Sequence, residues 1–341
     1  MAGRETDAGP PDAGLPGQLA RFVRAQLPDA DSLKILGLQR RGGGLSRENW
    51  AFDLTVRDGG RAQAIPMMLR RDPVAGLLAT DRRVEFGALQ ALASTPVPAP
   101  VAYWLDEDGT WLGFPSLIMS REEGQPDWFA LNGDRPENDR LQLARELLDH
   151  LIGLQAVDWR ATVLAKLLDD PGPDAALAAV RFWHGELLRH QLEPLPEMTA
   201  VRQWLLRHAP QSADTVIVHG DYKPGNVLLV GNEIRAVLDW ETVHLGSALE
   251  DLGWITNPVR AREHQIPGRW ERAQIVEHYA AATGRRVTQR ELLWWNVFSC
   301  WKLSVIVISG LSAFVAGQFD RVHLLPTWLF KNMFKLIENA G

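Results

Sequence analysis

The feature that most constrains this chain is a polar loop set between apolar runs. HGDYKPGN, residues 219–226, is entered from TVIV and left by VLLV, and a further apolar run, IRAVL, ends at Asp239. Short aliphatic runs rich in β-branched residues and punctuated by Gly, Pro, Asn and Asp read as buried strands joined by polar loops. A polar island framed by buried strands is where chemistry is expected. The spacing, 13 residues from Asn226 to Asp239, brings two oxygen ligands to neighbouring strand ends, with Asp221 a few residues away. Mg²⁺ prefers oxygen ligands and usually keeps phosphates or waters in its remaining positions. An Asp close to such a pair, and not needed as a ligand, can orient and deprotonate a hydroxyl in phosphoryl transfer.

The rest of the chain divides in texture. LKILGLQR, NWAFDLTV and QAIPMMLRR, within residues 33–71, read as antiparallel strands, since the turn RDGGR is too short for a crossover. A helix capped by Thr80 and running to about Ala93 follows, with Val84, Ala88, Leu89 and Leu92 at helical spacing. VAYWLDEDGTWLGFPSLIMS reads as a further strand pair turning at Glu107 to Gly109. Beyond Gly124 long helices are predicted at 138–157, 175–191, 197–208, 270–282, 290–316 and 327–338, with the strands around HGDYKPGN as the one β-rich interlude. The change at SREEGQPD marks the boundary: a small sheet with one helix, then a larger helical part carrying small hairpins.

Length and composition exclude several classes. With a usual domain size of about 150 residues, 341 residues suggest two structural units. A balance of 36 basic against 42 acidic residues lacks the basic excess of nucleic-acid binders. The single Cys300 excludes an internal disulfide, a CxxC pair and a cysteine zinc site, and suits a reducing cytoplasm. It is expected to be an inert buried thiol. Residues 1–17 are rich in Gly, Pro and Asp, lack the apolar core of a signal peptide, and are expected to be a disordered tail. Leu303–Gly317 is shorter than the roughly 20 residues needed to cross a bilayer, so it is expected to be a buried helix and not a membrane span.

The pattern His-x-Asp, with Asn five residues after the Asp and a strand-end Asp beyond, resembles the eukaryotic-type kinase core. More closely, HGDYKPGNVLL with LDWE resembles the aminoglycoside phosphotransferase and choline kinase superfamily, nearest to the phosphotransferase domains associated with acyl-CoA dehydrogenases. The resemblance covers about residues 25–330. It implies an α+β, two-lobed, protein-kinase-like fold. A small antiparallel sheet with one main helix forms a nucleotide-binding lobe at 18–119, and a mostly helical catalytic and substrate lobe occupies 120–341. It also implies ATP bound between the lobes and Mg²⁺ as cofactor. Asp221 is then the catalytic acceptor of the hydroxyl proton, and Lys223 a neutraliser of charge on the transferred group. Asn226 and Asp239 are the metal ligands. His219 and Asp251 are structural supports of the loop, although Asp251 could simply cap a helix. GGGLSREN resembles the Gly-rich phosphate turn, giving Gly43, Gly44 and Ser46. LRR resembles the phosphate-contacting strand, giving Arg70 with Glu85 as its ion-pair partner. FPSLIMSREEG resembles the hinge, where Met119, Ser120 and Arg121 would bind adenine through their backbone. The departures matter: Gly220 stands where protein kinases carry Arg, Trp240 and Glu241 follow the metal Asp, and no Ala-Pro-Glu segment is present, all against a protein substrate.

For the acceptor, the resemblance implies a small-molecule hydroxyl, with a hydroxyacyl-CoA or an amino alcohol such as an aminoglycoside as rivals. Residues 120–150 hold eight acids against four bases, and residues 254–302 the reverse. The second segment, through Arg260, Arg262, Arg269, Arg285 or Arg286, tilts the expectation towards an anionic, acyl-CoA-like acceptor. A solvated basic face explains the same residues equally well. Two readings from other classes stay open: a catalytically silent nucleotide-binding module, and a metal hydrolase with His219, Asp221, Asp239 and His244 as ligands. The fourteen tryptophans are expected to be core, with a ligand platform as the alternative.

Overall fold

The computed structural model describes residues 14–42, 48–72, 81–318 and 324–339, and the chain falls into two compact units. The first comprises Met1–Gly76 with Pro100–Glu122, the second Leu77–Ala99 with Glu123–Gly341. Among the described residues the elements, in chain order, are α1 (Gly14–Gln26), β1 (Ser32–Arg41), β2 (Glu48–Asp58), β3 (Arg61–Arg71), α2 (Arg82–Leu92), β4 (Ala102–Asp106), β5 (Ser116–Ser120), β6 (Gln125–Pro126), α3 (Glu137–Gln155), α4 (Leu164–Leu167), α5 (Ala175–His190) and α6 (Pro196–His208). There follow β7 (Thr215–Val218), β8 (Val227–Val230), β9 (Glu233–Val237), β10 (His244–Ser247), α7 (Leu249–Ile255), α8 (Ala261–His264), α9 (Arg272–Thr283), α10 (Gln289–Val315) and α11 (Thr327–Glu338).

The first unit is a five-stranded antiparallel sheet in the order β1-β2-β3-β5-β4. Its register follows from burial: Phe52, Leu54, Met67, Leu69 and Ile118 point one way into a core closed by Leu19, Phe22 and Val23 of α1. That helix starts at Gly14, inside the segment expected to be a tail, because the apolar stripe of Leu19, Phe22 and Val23 can bury against the sheet. The helix expected after β3, α2, belongs to the second unit. Its cap is Asp81, whose carboxylate accepts from the Arg83 N–H at 2.8 Å. Thr80, expected in that role, lies outside the described residues.

In the second unit the small strands form two sheets, β10 against β7 and β6-β8-β9. All the long helices expected there are present within a few residues of their predicted ends. The central one, α10, is 27 residues long, longer than the apolar stretch Leu303–Gly317, and apolar on nearly every side. By length and composition it could cross a membrane, yet 67% of its most apolar window is buried inside the protein. Its aromatic residues Trp294, Trp295, Phe298 and Trp301 are core. Trp294 stacks on Phe298 at 5.7 Å, and the Trp294 and Trp301 indoles donate to the main-chain oxygens of Leu205 and Met198 at 3.0 and 3.1 Å. Cys300 is buried on the same helix, and burial lifts its thiol to about 11, so it is unreactive.

The contact that sets α7 against α10 is made at a glycine. A Cβ at Gly253 would lie 2.4 Å from the Trp295 Cβ, so only glycine allows this approach. Gly253→Ala is expected to destabilise the chain by about 1–3 kcal/mol, the range for overpacking a close-packed core. A lower urea midpoint at unchanged slope is the measurement that checks it.

Candidate active site

The loop begins where β7 ends. Gly220 turns the chain at φ +84°, and a Cβ there would meet the Thr242 main-chain oxygen at 2.8 Å. The Gly in the position where protein kinases carry Arg is therefore required by the local backbone. Two main-chain N–H groups, those of His219 and Gly220, donate to the two carboxylate oxygens of Asp251 at 2.7 and 3.0 Å. Asp251 lies inside the first turn of α7, where Ala248 is the N-cap residue, and so braces the loop instead of capping the helix. Burial pushes its carboxyl above the usual range, against the pull of His219.

His219 is buried and fully engaged. Its Nδ1 accepts from the Asp221 N–H at 3.2 Å, which leaves Nε2 as the donor to the Leu238 oxygen at 2.9 Å. Burial holds the imidazole neutral, below its ordinary pKa. With both nitrogens spent it has none to offer a metal, which removes the metal-hydrolase ligand set.

Asp221 is the open member of the loop, its side chain 26% exposed. Lys223 forms an ion pair with it and sits 4.7 Å from the centre of the Trp128 ring. Burial alone would raise the Asp221 pKa. The charges of Lys223 and then Arg260 outweigh it and keep the carboxylate ionised below its ordinary value. Asn226 donates from Nδ2 to the Asp221 carboxylate at 3.1 Å and to its main-chain oxygen at 3.0 Å. Its amide oxygen is then what it can present to a metal. The Asn226 main-chain oxygen accepts from Leu238 at 2.8 Å, which pins the residue before Asp239 to the start of β8. Asp239 is the one non-glycine residue at positive φ among those described, at φ 62° and ψ 52°. Asp tolerates the left-handed region better than most residues, and backbone outliers cluster at functional sites.

Asn226 and Asp239 offer oxygen donors of the kind Mg²⁺ takes, and among the described residues no group of three His, Cys, Asp or Glu side chains is arranged to hold a metal. The residues therefore fit an ion that completes its shell with phosphate and water oxygens.

The expected nucleotide contacts of the first unit are placed as follows. Arg70 is buried on β3, opposite Asn49 and Leu117. The main-chain N–H groups of Ser120 and Arg121 are engaged, to Val101 at 2.8 Å and Pro66 at 3.1 Å. Met119 is buried at the same strand end. Glu85, on α2 of the second unit, is buried in an ion pair with Arg82. Gly43, Gly44 and Ser46 lie outside the described residues.

Sequence reasoning missed the support beneath the loop. Lys302, buried on α10, donates to the Gly220 oxygen at 2.6 Å and pairs with Glu250 at 3.2 Å, and Glu250 also meets His244 at 3.1 Å. Burial raises the Glu250 carboxyl, but His244 and Lys302 together pull it down to about 2. Burial opposes the charge on His244, and Glu250 overrides it and lifts the imidazole above its ordinary value. The available signal was a lysine beside an apolar stretch that reads as core, since a buried charge implies a partner. The arginines offered to an anionic acceptor are partly committed. Arg260 pairs with Glu263 over Trp254, Arg262 lies over Phe129, Arg269 pairs with Glu137, and Arg285 pairs with Asp214.

The loop with the Asp221 carboxylate, the Asn226–Asp239 oxygen pair and the Asp251 brace lies within residues 37–289, which match the model of the phosphotransferase enzyme family, APH, and the chain belongs to that family. Among its relatives is the rat acyl-CoA dehydrogenase family member 11, 26% identical over 74% of this chain. The chain spans 34% of the length of that relative. A solved structure from Ralstonia eutropha, assigned provisionally as an aminoglycoside phosphotransferase, superposes with a TM-score of 0.72 at 22% identity, covering 95% of this chain and 98% of its own. A thermostable mutant of aminoglycoside phosphotransferase APH(4)-Ia, in ternary complex with AMP-PNP and hygromycin B, gives 0.53 at 16% identity, covering 95% and 99%. These likenesses establish the kinase-like fold.

Two outcomes follow from the support under the loop. Lys302→Met removes one partner of a buried pair and the donor to Gly220, and is expected to cost about 3 kcal/mol of stability, read as a drop in melting temperature. The His244–Glu250 pair is strongest while both are charged. The raised His244 contributes below its ordinary 6.5 and loses that contribution as pH climbs through its folded value. The lowered Glu250 contributes above its ordinary 4.5 and loses it as pH falls towards 2. The stability gap between wild type and His244→Gln should thus be widest between about pH 5 and 6 and narrow as pH climbs through the raised folded value of His244, as measured by denaturation across pH.

Proposed function

We propose that the chain is an ATP- and Mg²⁺-dependent kinase that phosphorylates a hydroxyl of a small molecule. The observation that carries the reading is the ionised Asp221, held by Lys223 and Asn226 on a loop braced from behind by Asp251. A carboxylate so held can accept a hydroxyl proton while its position is fixed. The AMP-PNP complex of the APH(4)-Ia neighbour supports a nucleoside triphosphate as donor.

In the proposed reaction the acceptor oxygen forms a bond to the γ-phosphorus as the bond to the β–γ bridging oxygen breaks. ADP leaves with the electron pair, and the hydroxyl proton passes to Asp221. Asn226 and Asp239 would hold Mg²⁺, which when bound neutralises phosphate charge. Lys223, released from Asp221 as that carboxylate takes up the proton, lies within reach of the transferred group and compensates its charge. In the first unit, Arg70 and the main chain of Met119, Ser120 and Arg121 are the proposed nucleotide contacts. Arg70 in place of Lys offers a two-pronged grip on phosphate oxygens. A loose transition state leaves the protein mainly positioning and charge neutralisation. An acyl-CoA-type acceptor draws support from the name of the rat relative, and an amino-sugar acceptor from hygromycin B in the APH(4)-Ia complex. A cytoplasmic setting is proposed on the lone, buried cysteine.

Asp221→Asn is expected to keep the melting shift caused by ATP with Mg²⁺ while lowering turnover about 10²- to 10⁴-fold. Near-normal turnover in that variant would reject the base assignment. Absence of any ATP–Mg²⁺ shift in wild type would favour a silent module.

A further inference from the structure

A cavity of about 420 Å³ in the second unit is bordered by Thr242, but its lining includes none of Asp221, Lys223, Asn226 or Asp239. The segment 127–133, by contrast, packs directly on the loop. A Cβ at Gly225 would lie 2.7 Å from the Trp128 ring, and the Lys223 ammonium, paired with Asp221, sits 4.7 Å from the centre of that ring. One side of the indole is therefore seated on the loop, yet Trp128 is 49% exposed and its neighbour Phe129 42%. Single surface aromatics need no explanation, whereas an adjacent pair beside the partly exposed Asp221 carboxylate has the composition of a ligand-binding wall.

The pair stands on a fixed base. Ala130 and Leu131 are buried behind it, and the Asp127 carboxylate accepts the Phe129 N–H at 3.0 Å and pairs with Arg135. The Asn132 amide donates to the Arg262 and Gln265 main-chain oxygens at 2.8 and 2.7 Å, which brings α8 alongside. From α8 the Arg262 guanidinium lies 4.5 Å from the centre of the Phe129 ring.

The other charges around this surface are matched. Lys223 is paired with Asp221, Arg135 with Asp127, Arg260 with Glu263 and Arg269 with Glu137. Burial, with the charges of Arg260 and Lys223, keeps His264 neutral. Arg262 is exposed and, among the described residues, no carboxylate, Asp134 of the same segment included, comes within ion-pair distance of it. One guanidinium is thus left over beside the rings, with a fork of donors that fits a carboxylate edge. A single spare charge matches a carboxylate better than a phosphate monoester, whose charge is close to two.

We infer that Trp128 and Phe129 form the platform on which the apolar body of the acceptor alcohol lies, with its hydroxyl at Asp221 and a remote carboxylate at Arg262. The inference rests on the kinase reading for the role of the hydroxyl. The class of the body follows from the exposed rings, and that of its remote group from the unmatched arginine. An apolar hydroxy acid is thereby selected over an amino alcohol.

The test uses three probes on the full chain that share a benzene ring and a hydroxymethyl group and differ at the para position: 4-(hydroxymethyl)benzoate, 1,4-benzenedimethanol and 4-(aminomethyl)benzyl alcohol. Affinity is read by calorimetry and ATP consumption by a coupled assay. The anionic probe should bind about fivefold more tightly than the neutral one, the worth of a good exposed ion pair, and the cationic probe most weakly. Arg262→Gln should bring the anionic-to-neutral ratio down to about one, whereas Arg286→Gln, at an exposed arginine of the same basic segment, should keep it. Trp128→Ala should weaken all three probes about tenfold, and Trp128→Phe should recover most of the loss. The ATP–Mg²⁺ melting shift, retained in each variant, separates lost acceptor binding from a disturbed loop. Equal affinity for the three probes, a preference for the cationic one, a ratio lowered equally by both arginine variants, or unchanged affinity in Trp128→Ala would overturn the inference. Binding in the expected order without any ATP consumption would sink the kinase reading and leave the platform standing.

Discussion

The geometry of the loop at residues 219–226 depends on the Asp251 carboxylate, which accepts the main-chain N–H groups of both His219 and Gly220. The backbone there leaves β7 and turns through positive φ, so those two donors have no strand partner to reach. Left unpaired in a buried setting each would cost about 1–3 kcal/mol. From the opposite side the Lys302 ammonium takes the Gly220 oxygen. The loop is thus held at its donors by α7 and at its acceptor by α10. Those helices are locked to each other where Gly253 lets Trp295 approach. The apolar helical core and the active-site geometry are parts of one construction, and a change in α7–α10 packing is felt at Asp221 through two hydrogen bonds and one carbonyl.

The same loop separates two carboxylates by environment. Asp251 has its pKa raised by burial, against the pull of His219 and Lys302, and serves as a fixed acceptor of backbone N–H groups. Asp221, with Lys223 beside it and Arg260 contributing, has its pKa lowered and stays ionised at the surface of the loop. A base that is too acidic is a weak one. In the proposed reaction the ion pair with Lys223 would have to rearrange when phosphate charge arrives, which would restore basicity to Asp221. The Trp128 ring under Lys223 is suited to that, since a ring face stabilises an ammonium without fixing its direction.

What could be read from the sequence follows the range of the interactions involved. That Asp221, Asn226 and Asp239 come together was legible because their placement is set by spacing along adjacent strand ends, and strand ends are local. The long helices were legible from period and length, α11 to the residue. The brace was legible only through resemblance, because Asp251 meets His219 across 32 positions and no local pattern reports the pairing. Lys302 was seen merely as the limit of an apolar stretch, since its partners, Gly220 and Glu250, lie 82 and 52 positions away. The helix α1 was hidden in a segment whose Gly and Pro content signals disorder, and what overrides that signal is the chance to bury Leu19, Phe22 and Val23 on a sheet. The net charge of residues 254–302 pointed towards an anion, but charge counted along the chain ignores pairing in space. Glu137 and Asp214, far away in sequence, take up Arg269 and Arg285.

The loop around Asp221 and the cavity bordered by Thr242 differ in how their residues are anchored. Asp221, Asn226 and Asp239 stand on strand ends and on a loop with most of its polar atoms hydrogen-bonded, so substitution there disturbs geometry directly. The cavity lining stands on α2, on the α4–α5 segment and on β10, elements whose facing side chains are apolar and make few directional bonds. Exchanging Leu168 or Ala178 changes a volume and leaves the hydrogen-bond network behind Asp221 intact. Thr242 is the exception, since it both lines the cavity and ties the loop at the His219 oxygen. The volume of this cavity can therefore change through helix side chains while the loop stays as it is, and Thr242 is the position where the two cannot be varied independently.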